Sequence, residues 1–331
     1  MEDHVRGAQR RLALKQLALL LGATALPAWA QSQNYPRQPI RAVQGFAAGG
    51  NADMIARVVG AEMSKSLGQP FVVEAVTGAG GTLASGAVAR APADGYTALL
   101  ATGGHAVTGA MYRKLPYDPL KSFEMVSTVT YFPFLVVVPA DSTYRSFADL
   151  LKAARDTTGT IAYGSAGVGT THHLAGELLA RMGGLKLLHV PYRGDAASTN
   201  ALLGGEVFFT LAPATAVEAN IRAGRLRAIA VTGPQRWLGM PEVPTVAEQG
   251  MPDYDVRSWA GWMLPAGTPA AIVRRLNEAT RQALLSPEVR ARLRQMGGEA
   301  QASSPKEMAA MVESELKKWS KVIAVANITP Q

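Results

Sequence analysis

Hydrophobic and polar positions alternate over residues 39–43 and then recur at helical spacing, which predicts a strand followed by a helix. The strand at residues 39–43 carries β-branched residues, and apolar side chains recur at helical spacing over residues 54–67. Glycine and alanine fill the loop between them, and Asn51 stands where a helix cap belongs. Such a loop lets backbone N–H groups approach a ligand, and the positive end of the helix dipole favours an anion there. The same glycines also fit a simple tight turn from strand to helix.

The order of strand, small-residue loop and helix recurs further along the chain. Strands predicted at residues 71–76 and 96–101 lead into small-residue loops at residues 77–82 and 102–105, and a later strand opens onto a hydroxyl-rich loop at residues 164–170. Strands that alternate with helices predict parallel sheets with helices on both faces, and ligands bind at the carboxyl ends of such strands. Because the loops lie at those ends, we expect them to converge on one crevice.

Two apolar runs predict the places where the chain crosses between two αβ units. Residues 131–138 lead away from the first unit and residues 258–264 lead back to it, and Trp259 and Trp262 are expected to pack the hinge. Further strands are predicted at residues 160–163, 189–192, 207–211 and 226–231, and two long helices close the chain. The pattern predicts a hinged clamp around a cleft. Its predicted boundaries are residues 31–131 and 256–331 for lobe 1, and residues 132–255 for lobe 2.

The first thirty residues have the pattern of a signal peptide. Four basic residues precede a short apolar run at residues 17–26, and Ala28-Trp29-Ala30 supplies a small-x-small cleavage site. The apolar run is too short to span a bilayer comfortably. We therefore predict cleavage after Ala30 and a periplasmic location. Arg10-Arg11 partly matches a twin-arginine signal without its usual Phe, so general secretion and twin-arginine export both stay open.

Composition narrows the function classes. The 331-residue chain has no cysteine, which excludes disulfides, thiolate metal sites and a lipid anchor. Without the leader, 29 Lys and Arg residues face 23 Asp and Glu residues, a net charge of +6. No basic cluster interleaves with aromatic residues, so nucleic acid is not an expected partner, and the charge fits a mild preference for anionic ligands. No cofactor and no metal are predicted.

Two short motifs invite an enzymatic interpretation. Gly78-x-Gly80 after a strand resembles a dinucleotide fingerprint, but Leu83 stands where the third glycine belongs. Ser165 lies in a glycine-rich turn that is not a nucleophile elbow, because Tyr163 occupies the first glycine position. We expect Ser165 to act as a hydrogen-bond donor rather than as a nucleophile.

Histidines offer further candidates for chemistry. His173 and Glu177 share a helix face at four-residue spacing, but no third ligand accompanies them, which favours helix capping or core packing over a metal site. His105 lies in one of the small-residue loops, and His172 lies beside another. A solvent-facing position stays open for both, and a ligand-facing position stays open for His105 as well.

Eight short motifs follow one another across the mature chain. They are Tyr35-Pro36 with Pro39-Ile40-Arg41; Ala48-Gly49-Gly50 with Asp53 and Arg57; Gly78-Ala79-Gly80-Gly81; Ala93-Asp94-Gly95-Tyr96-Thr97; Gly164-Ser165-Ala166-Gly167-Val168-Gly169 with His173-Leu174; Val190-Pro191-Tyr192-Arg193-Gly194; Val243-Pro244-Thr245-Val246-Ala247-Glu248; and Pro265-Ala266-Gly267-Thr268-Pro269. In this order and spacing the chain resembles the periplasmic solute receptors of tripartite tricarboxylate transporters, the Bug family. The resemblance implies a type II periplasmic-binding-protein fold, an α/β architecture with two Rossmann-like lobes and a hinge. It also implies a ligand carboxylate held by backbone groups and bridging waters from loops of both lobes.

The loop positions and the resemblance together give a set of candidate ligand-binding residues. They are Phe46, Ala47, Ala48, Gly49, Asp53, Gly80, Thr102, His105, Ser165, Gly167, Gly169, Thr170, His173, Tyr192, Gly194, Asp195 and Thr210. Two departures from the family pattern fall in the part of the pocket that contacts the ligand beyond its carboxylate. Gln44-Gly45 precede Phe46 where the family has Val-Pro, and Phe208 stands near a position that is often acidic. Arg193 is expected at the rim of the cleft.

The expected function is capture of a small organic anion in the periplasm and its delivery to the membrane permease of a tripartite tricarboxylate transporter, without catalysis. A periplasmic sensor that presents its closed form to a signalling partner is the alternative, and an esterase acting through Ser165 is a third hypothesis. Dicarboxylates, tricarboxylates, aromatic acids and amino acids all stay open as ligands. The protein is expected to be a monomer.

Overall fold

Strands and helices alternate along the chain in a computed structural model, which describes residues 35–156, 160–325 and 327–328. The strands are β1 (Ile40–Gln44), β2 (Phe71–Ala75), β3 (Thr97–Thr102), β4 (Phe123–Pro133), β5 (Leu135–Pro139), β6 (Ile161–Ser165), β7 (Leu187–Pro191), β8 (Phe209–Ala212), β9 (Leu226–Val231), β10 (Arg257–Pro265) and β11 (Glu299–Ala300). The α-helices are α1 (Asn51–Leu67), α2 (Thr82–Ala89), α3 (Gly103–Met111), α4 (Phe147–Asp156), α5 (Thr171–Gly183), α6 (Asp195–Leu203), α7 (Ala214–Arg222), α8 (Ala270–Ala283), α9 (Pro287–Gln295) and α10 (Pro305–Val325). The predicted signal peptide and its cleavage site after Ala30 lie outside the described residues.

The first sheet has the strand order β11-β4-β10-β3-β1-β2. Strand β1 runs parallel to β2 and β3, whereas β10 runs antiparallel to both β3 and β4. Val43, Leu99, Trp259 and Met263 from its strands pack against Met308 of α10, and all five are buried. We call the half built on this sheet lobe 1.

The second sheet repeats that arrangement with the order β7-β6-β8-β5-β9. Strand β6 runs parallel to β7 and β8, and β5 runs antiparallel to β8 and β9. Its core joins Leu135, Val137 and Val231 of the strands to Leu202 of α6 and Val217 of α7. We call the half built on this sheet lobe 2, and the lobe boundaries predicted from the sequence stay a prediction.

Both sheets are mixed rather than parallel, which corrects the expectation from the alternation of strands and helices. In each lobe one antiparallel strand, β10 or β5, separates the three parallel strands from the rest of the sheet. The apolar run at residues 131–138 is likewise two strands, because β4 ends at Pro133 and β5 begins at Leu135 in the other sheet. An apolar pattern reports burial but not strand direction, so the sequence could not show this.

The two connections between the lobes are tied together at Thr232. Its N–H donates to the Phe134 carbonyl at 2.9 Å, and its Oγ1 accepts from the Phe134 N–H at 2.8 Å. Thr232 Oγ1 also donates to the Val256 carbonyl at 2.7 Å, and the Val256 N–H returns a bond to the Thr232 carbonyl at 2.9 Å. Phe134 stands on the outgoing connection and Val256 on the returning one, so one buried threonine joins both.

Several local predictions are refined by the structure. Helix α4 begins with a reciprocal cap, since Ser146 Oγ accepts from the Asp149 N–H at 3.1 Å and the Asp149 carboxylate accepts from the Ser146 N–H at 2.9 Å. Asn51 is not a cap: Gly50 takes that position, and Asn51 Oδ1 instead accepts from Thr215 Oγ1 at 3.3 Å. The predicted loop after β3 is already the first turn of α3, and the chain closes with three helices rather than two.

Trp259 and Trp262 are both buried on β10. Trp259 belongs to the lobe 1 core, and the Trp262 ring lies 5.4 Å from the ring of Phe71 on β2. They therefore pack the interior of lobe 1 rather than the crossing itself. In the part of the chain that the structure describes, no helix is both long and apolar enough to cross a membrane.

Candidate functional site

Five helix N-termini meet around a small cavity between the lobes. The cavity has a volume of about 40 Å³ and we call it the inner cavity. Its lining residues are Asn51 and Ala52 of α1, Thr102 and Gly104 at the start of α3, Thr170, Thr171 and His172 at the start of α5, Asp195 of α6, Pro213 before α7, and Phe46, Phe132 and Ser258. Lobe 1 contributes two of the helices and lobe 2 contributes three.

The N–H groups of these first helical turns are largely without side-chain caps. The residues that precede α1, α3, α6 and α7 make no side-chain cap hydrogen bond; these are Gly50, Thr102, Gly194 and Pro213. Only Thr170 caps its helix, by accepting from the His173 N–H at 3.4 Å. The first N–H groups of a helix have no partner within the helix, and each N-terminus carries about half a positive charge. The inner cavity is therefore surrounded by partial positive charge.

A larger cavity of about 530 Å³ lies beside the inner one, and we call it the outer cavity. It is lined from lobe 1 by Gly45, Phe46, Ala47, Thr77, Gly78, Ala79, Gly80 and Tyr112, and from lobe 2 by Ala166, Gly167, Val168, Tyr192, Arg193 and Gly194. Phe46 lines both cavities. Among the described residues that line the two cavities, Arg193 is the only Lys or Arg, and it is exposed as expected for the rim.

The lobes touch around these cavities through glycines. A Cβ added at Gly80 would lie 3.0 Å from the Gly169 carbonyl oxygen, and one added at Gly169 would lie 3.2 Å from Thr108 Cγ2. Both glycines have positive φ, which a side chain would also strain. The predicted role of glycine as a spacer that permits close approach is thus visible at the contact between the lobes.

The turn at residues 45–50, which we call loop 1, is held by polar side chains from its flanking elements. Gln44 Oε1 accepts from the Phe46 N–H at 2.7 Å, and Gln44 Nε2 donates to the Phe46 carbonyl at 2.9 Å. The Asp53 carboxylate accepts from the Gly49 N–H at 3.0 Å and from Arg57 Nε at 2.7 Å. Burial alone would raise the pKa of Asp53, but the hydrogen bonds from Arg57 and Gly49 outweigh it and hold the pKa below its ordinary value. Gln44, where the family pattern has Val, therefore positions Phe46.

The turn at residues 165–170, which we call loop 2, is held by a hydroxyl and an imidazole. Ser165 Oγ accepts from the Gly167 N–H at 3.0 Å and lies 2.6 Å from His189 Nε2. The rings of His173 and His189 stack with centroids 4.0 Å apart. Burial lowers the pKa of His173 to about 4 and that of His189, which also faces His173, to about 3. Ser165 is fully buried, so its hydroxyl supports the loop instead of facing the cleft.

The remaining predicted site residues also have internal partners. His105 is buried, with Nδ1 3.1 Å from Ser85 Oγ and Nε2 2.9 Å from the Pro119 carbonyl oxygen. Burial lowers the pKa of His105 despite that carbonyl. Thr210 Oγ1 donates to the Gly164 carbonyl at 3.0 Å and is fully buried. Both are interior residues, so His105 is neither solvent-facing nor on either of the two cavities.

Glu177, the partner considered for a metal site with His173, accepts a hydrogen bond from the Tyr163 hydroxyl at 2.9 Å. Within the described residues no group of three or more His, Cys, Asp or Glu could hold a metal ion.

The structure brings about half of the predicted residues together. Those that line the inner or outer cavity are Phe46, Ala47, Gly80, Thr102, Gly167, Thr170, Tyr192, Gly194 and Asp195. Those that do not are Ala48, Gly49, Asp53, His105, Ser165, Gly169, His173 and Thr210. The second group supports the loops or, for Gly169, the contact between the lobes.

Sequence reasoning missed His172, which lines the inner cavity and is only 8% exposed rather than solvent-facing. It also missed Phe132 and Ser258, which come from the strands that connect the lobes. A signal for His172 was available, since it stands two residues after the cap of α5, where the first turn faces the cleft.

Comparison with known proteins places this geometry in a family. Residues 55–328 match the family model described as tripartite tricarboxylate transporter family receptor. A relative from Pseudomonas sp. (strain P51), described as a UPF0065 protein in the tcbD-tcbE intergenic region, is 39% identical over 95% of this chain and 94% of its own.

Two solved structures share the architecture across nearly all of the described chain. The R. palustris protein Rpa4515, solved with adipate, superposes with a TM-score of 0.85 at 36% identity, over 90% of this chain and 100% of its own. The periplasmic binding protein BugD superposes with a TM-score of 0.84 at 32% identity, over 90% of this chain and 100% of its own. The predicted resemblance and the predicted periplasmic-binding-protein fold are confirmed.

Proposed function

This chain belongs to the tripartite tricarboxylate transporter receptor family, and on that premise we propose that it captures a small carboxylate-bearing organic anion between its lobes and delivers it to a membrane permease. We propose that it does so in the periplasm, after cleavage behind Ala30, and that it performs no catalysis. BugD, to which the chain is similar, is a periplasmic binding protein.

The observation that carries this proposal is the convergence of five helix N-termini on one cavity without a Lys or Arg side chain among its lining residues. An anion near a helix N-terminus gains roughly 0.3–1 kcal/mol, and more where the geometry is partly buried. Several such termini give an anion a binding site that needs no basic side chain. Water can complete the shell at little cost.

The size of the inner cavity indicates which part of the ligand it takes. A water molecule needs roughly 10–15 Å³ of such space, so the 40 Å³ of the inner cavity accommodates about three water-sized groups. That is room for the two oxygens of one carboxylate and one further small group. We place the carboxylate head in the inner cavity and the rest of the ligand past Phe46 toward the outer cavity, whose 530 Å³ leaves room for a second functional group.

A thermal-shift screen of the mature protein tests the proposal. Dicarboxylates, tricarboxylates, aromatic acids and amino acids are compared with their amides, which keep the shape and lose the charge. We expect at least one acid to stabilise the protein, by about 2.7 kcal/mol at a concentration of one hundred times its dissociation constant. Stabilisation by amides as strong as by acids would contradict an anion site. Delivery to a permease is checked by an uptake assay. A strain that lacks this protein should lose uptake of the same acid.

A further inference from the structure

Two ionisable side chains line the inner cavity, His172 and Asp195. His172 is 8% exposed, and the Asp195 side chain is 19% exposed. His172 Nε2 lies 3.2 Å from Asp195 Oδ1. That approach lacks hydrogen-bond geometry, so neither ring nitrogen of His172 nor Oδ1 of Asp195 has a hydrogen-bond partner. Thr199 Oγ1, one turn along α6 from Asp195, is buried without a partner as well.

Unpaired polar atoms in a protein interior are costly, and most buried polar groups have a partner. Two other polar side chains at the inner cavity are hydrogen-bonded within the protein. Asn51 Oδ1 accepts from Thr215, and Thr170 Oγ1 donates to the Gly167 carbonyl at 2.6 Å. His172 and Asp195 thus face the cavity in close contact with each other, while His172 Nδ1, Nε2 and Asp195 Oδ1 make no hydrogen bond within the protein, so both can bind a ligand group there.

We infer, resting on the proposed function, that His172 and Asp195 form a specificity subsite for a hydrogen-bond donor on the ligand, a hydroxyl or an ammonium beside its carboxylate. An ionised carboxylate can only accept hydrogen bonds, and it repels a second carboxylate. The helix N-termini hold the negative head, so the group that lies against Asp195 must be a neutral or positive donor. The imidazole of His172 supplies one further hydrogen-bonding nitrogen to the same group.

Matched acids that differ only in this donor provide the test. The sets are succinate, L-malate and L-aspartate; glutarate, 2-hydroxyglutarate and L-glutamate; phenylacetate, mandelate and phenylglycine; and tricarballylate with citrate. Binding to the mature protein is measured by calorimetry. In the set that binds best, we expect a donor-bearing acid to bind at least about tenfold more tightly than the unsubstituted acid, the fold-change that one added hydrogen bond to a charged group brings. Equal or tighter binding of the unsubstituted acid overturns the inference.

Two variants assign the preference to these side chains. Asp195→Asn keeps the shape of the side chain and removes its charge. We expect the preference for the donor-bearing acid over the unsubstituted acid, the donor preference, to fall to about threefold or less. Loss for the amino acid alone identifies an ammonium, loss for the hydroxy acid alone identifies a hydroxyl, and loss for both shows that the subsite accepts either donor; each of these outcomes supports the subsite. The matched control is Asp253→Asn, an exposed carboxylate outside both cavities, which should keep the wild-type preference. An unchanged preference in Asp195→Asn overturns the inference.

His172→Phe separates recognition from packing. The ring of His172 already lies 4.2 Å from the ring of Phe134, so a phenyl group fits similar surroundings without the unpaired nitrogens. We expect a weaker donor preference together with a thermal midpoint no lower than that of the wild type. A lower midpoint with the full preference retained assigns His172 a structural role and overturns its part in the subsite.

Failure of this inference and failure of the proposed function look different. Acids that bind without regard to the donor refute the subsite and leave the carboxylate receptor intact. If no acid of any set binds, the proposed function fails and the inference fails with it.

Discussion

Loop 1 and loop 2 close with the same backbone hydrogen bond in the two lobes but are held in place by different chemistry. The Gly50 N–H donates to the Ala47 carbonyl at 3.1 Å, and the Thr170 N–H donates to the Gly167 carbonyl at 3.3 Å, so each loop closes with the same turn before its helix. At the third helical position, Asp53 in lobe 1 is ion-paired and holds its loop directly. The corresponding lobe 2 helix carries a neutral imidazole stacked on a second one.

The difference teaches that the geometry of the turn depends on the backbone, whereas the side chains beneath it decide under which conditions that geometry survives. A carboxylate with a guanidinium partner supports this turn in lobe 1, and two stacked imidazoles, one buried and one half-buried, support it in lobe 2. They fail at different pH values and respond to different substitutions. Four predictions test this comparison, in order of decreasing expected effect.

The largest effect is expected when a side chain is added to a glycine at the contact between the lobes. Gly49 and Gly169 stand at the same place in the two loops and both have φ of 77°. A Cβ at Gly169 would lie 3.2 Å from Thr108 Cγ2, whereas a Cβ at Gly49 meets nothing within 4 Å. We expect Gly169→Val to abolish binding of the acid found in the screen. Gly49→Val should bear a similar backbone strain, about 1–3 kcal/mol, and still bind. Equal loss in both variants would show that strain, rather than the contact between the lobes, decides binding.

Acid should weaken loop 2 before loop 1. Because the folded state keeps His173 and His189 neutral, with pKa values of about 4 and 3, their contribution is complete above the ordinary value of 6.5 and is lost as the pH falls below it. At pH 5 we expect about 2–3 kcal/mol less stability for the pair, with His189 discounted for its exposure. The pKa of Asp53 is lowered from 3.8, so its contribution is lost only below that value. Urea unfolding at pH 7, 6 and 5 measures the slope.

Variants assign that slope to its source. The double variant His173→Gln with His189→Gln should flatten the loss between pH 6.5 and 5, apart from a remainder owed to the buried His105, whose pKa is also lowered. Asp53→Asn should lower stability at pH 7 and leave the slope in this window unchanged. A flattened slope in Asp53→Asn would reverse the assignment.

Removing one supporting side chain from each loop should have different effects on the affinity for the acid. Both removals should lower the stability of the protein, but only the one in loop 1 should weaken binding strongly. Gln44→Ala leaves the Phe46 N–H without its partner and frees a residue that lines both cavities. We expect about 1–3 kcal/mol less stability and roughly tenfold weaker binding, equivalent to about 1.4 kcal/mol. Ser165→Ala should cost about 0.5–1.5 kcal/mol of stability and change affinity less than about threefold, because its hydroxyl is buried beneath loop 2. Calorimetry of both variants with one acid checks this, and a larger affinity loss in Ser165→Ala is the contrary outcome.

The smallest effect is expected at the rim. Arg193 is exposed on the outer cavity, where an ion pair contributes only about 0.2–1 kcal/mol. Arg193→Ala should weaken binding at most about fivefold, and the difference should shrink as salt screens it. Arg274→Ala, an exposed arginine on α8, is the matched control and should bind as the wild type. A hundredfold loss in Arg193→Ala would mean that an ordinary ion pair binds the carboxylate.

Periodicity and loop composition predicted much of the fold. The turns between strands and helices, the left-handed Gly68 at the end of α1 and the capping box of Ser146 all follow from short-range rules, and the structure shows each of them. The convergence of the loops on one crevice followed from the rule for the carboxyl ends of parallel strands.

Interactions over long sequence separations could not be predicted in the same way. Ser165 was predicted to face the ligand, but its partner is His189 on the neighbouring strand. His172 lines the cavity because α5 and α6 bring it to Asp195, 23 positions away in the sequence. Strand direction at the crossings was also hidden, since an apolar run is the same in both directions. Each miss concerns pairing in space rather than local conformation.

The junction at Thr232 bears on how the protein communicates. Since Thr232 binds one connection through its N–H, the other through its carbonyl and both through its hydroxyl, the two cannot bend independently, and we expect the lobes to move about a single axis. A single axis restricts the lobes to opening and closing and excludes independent twisting of one lobe against the other. Under the proposed function, a permease that contacts both lobes would then distinguish the loaded from the empty protein by one quantity, the angle between the lobes, at a surface far from the cargo itself.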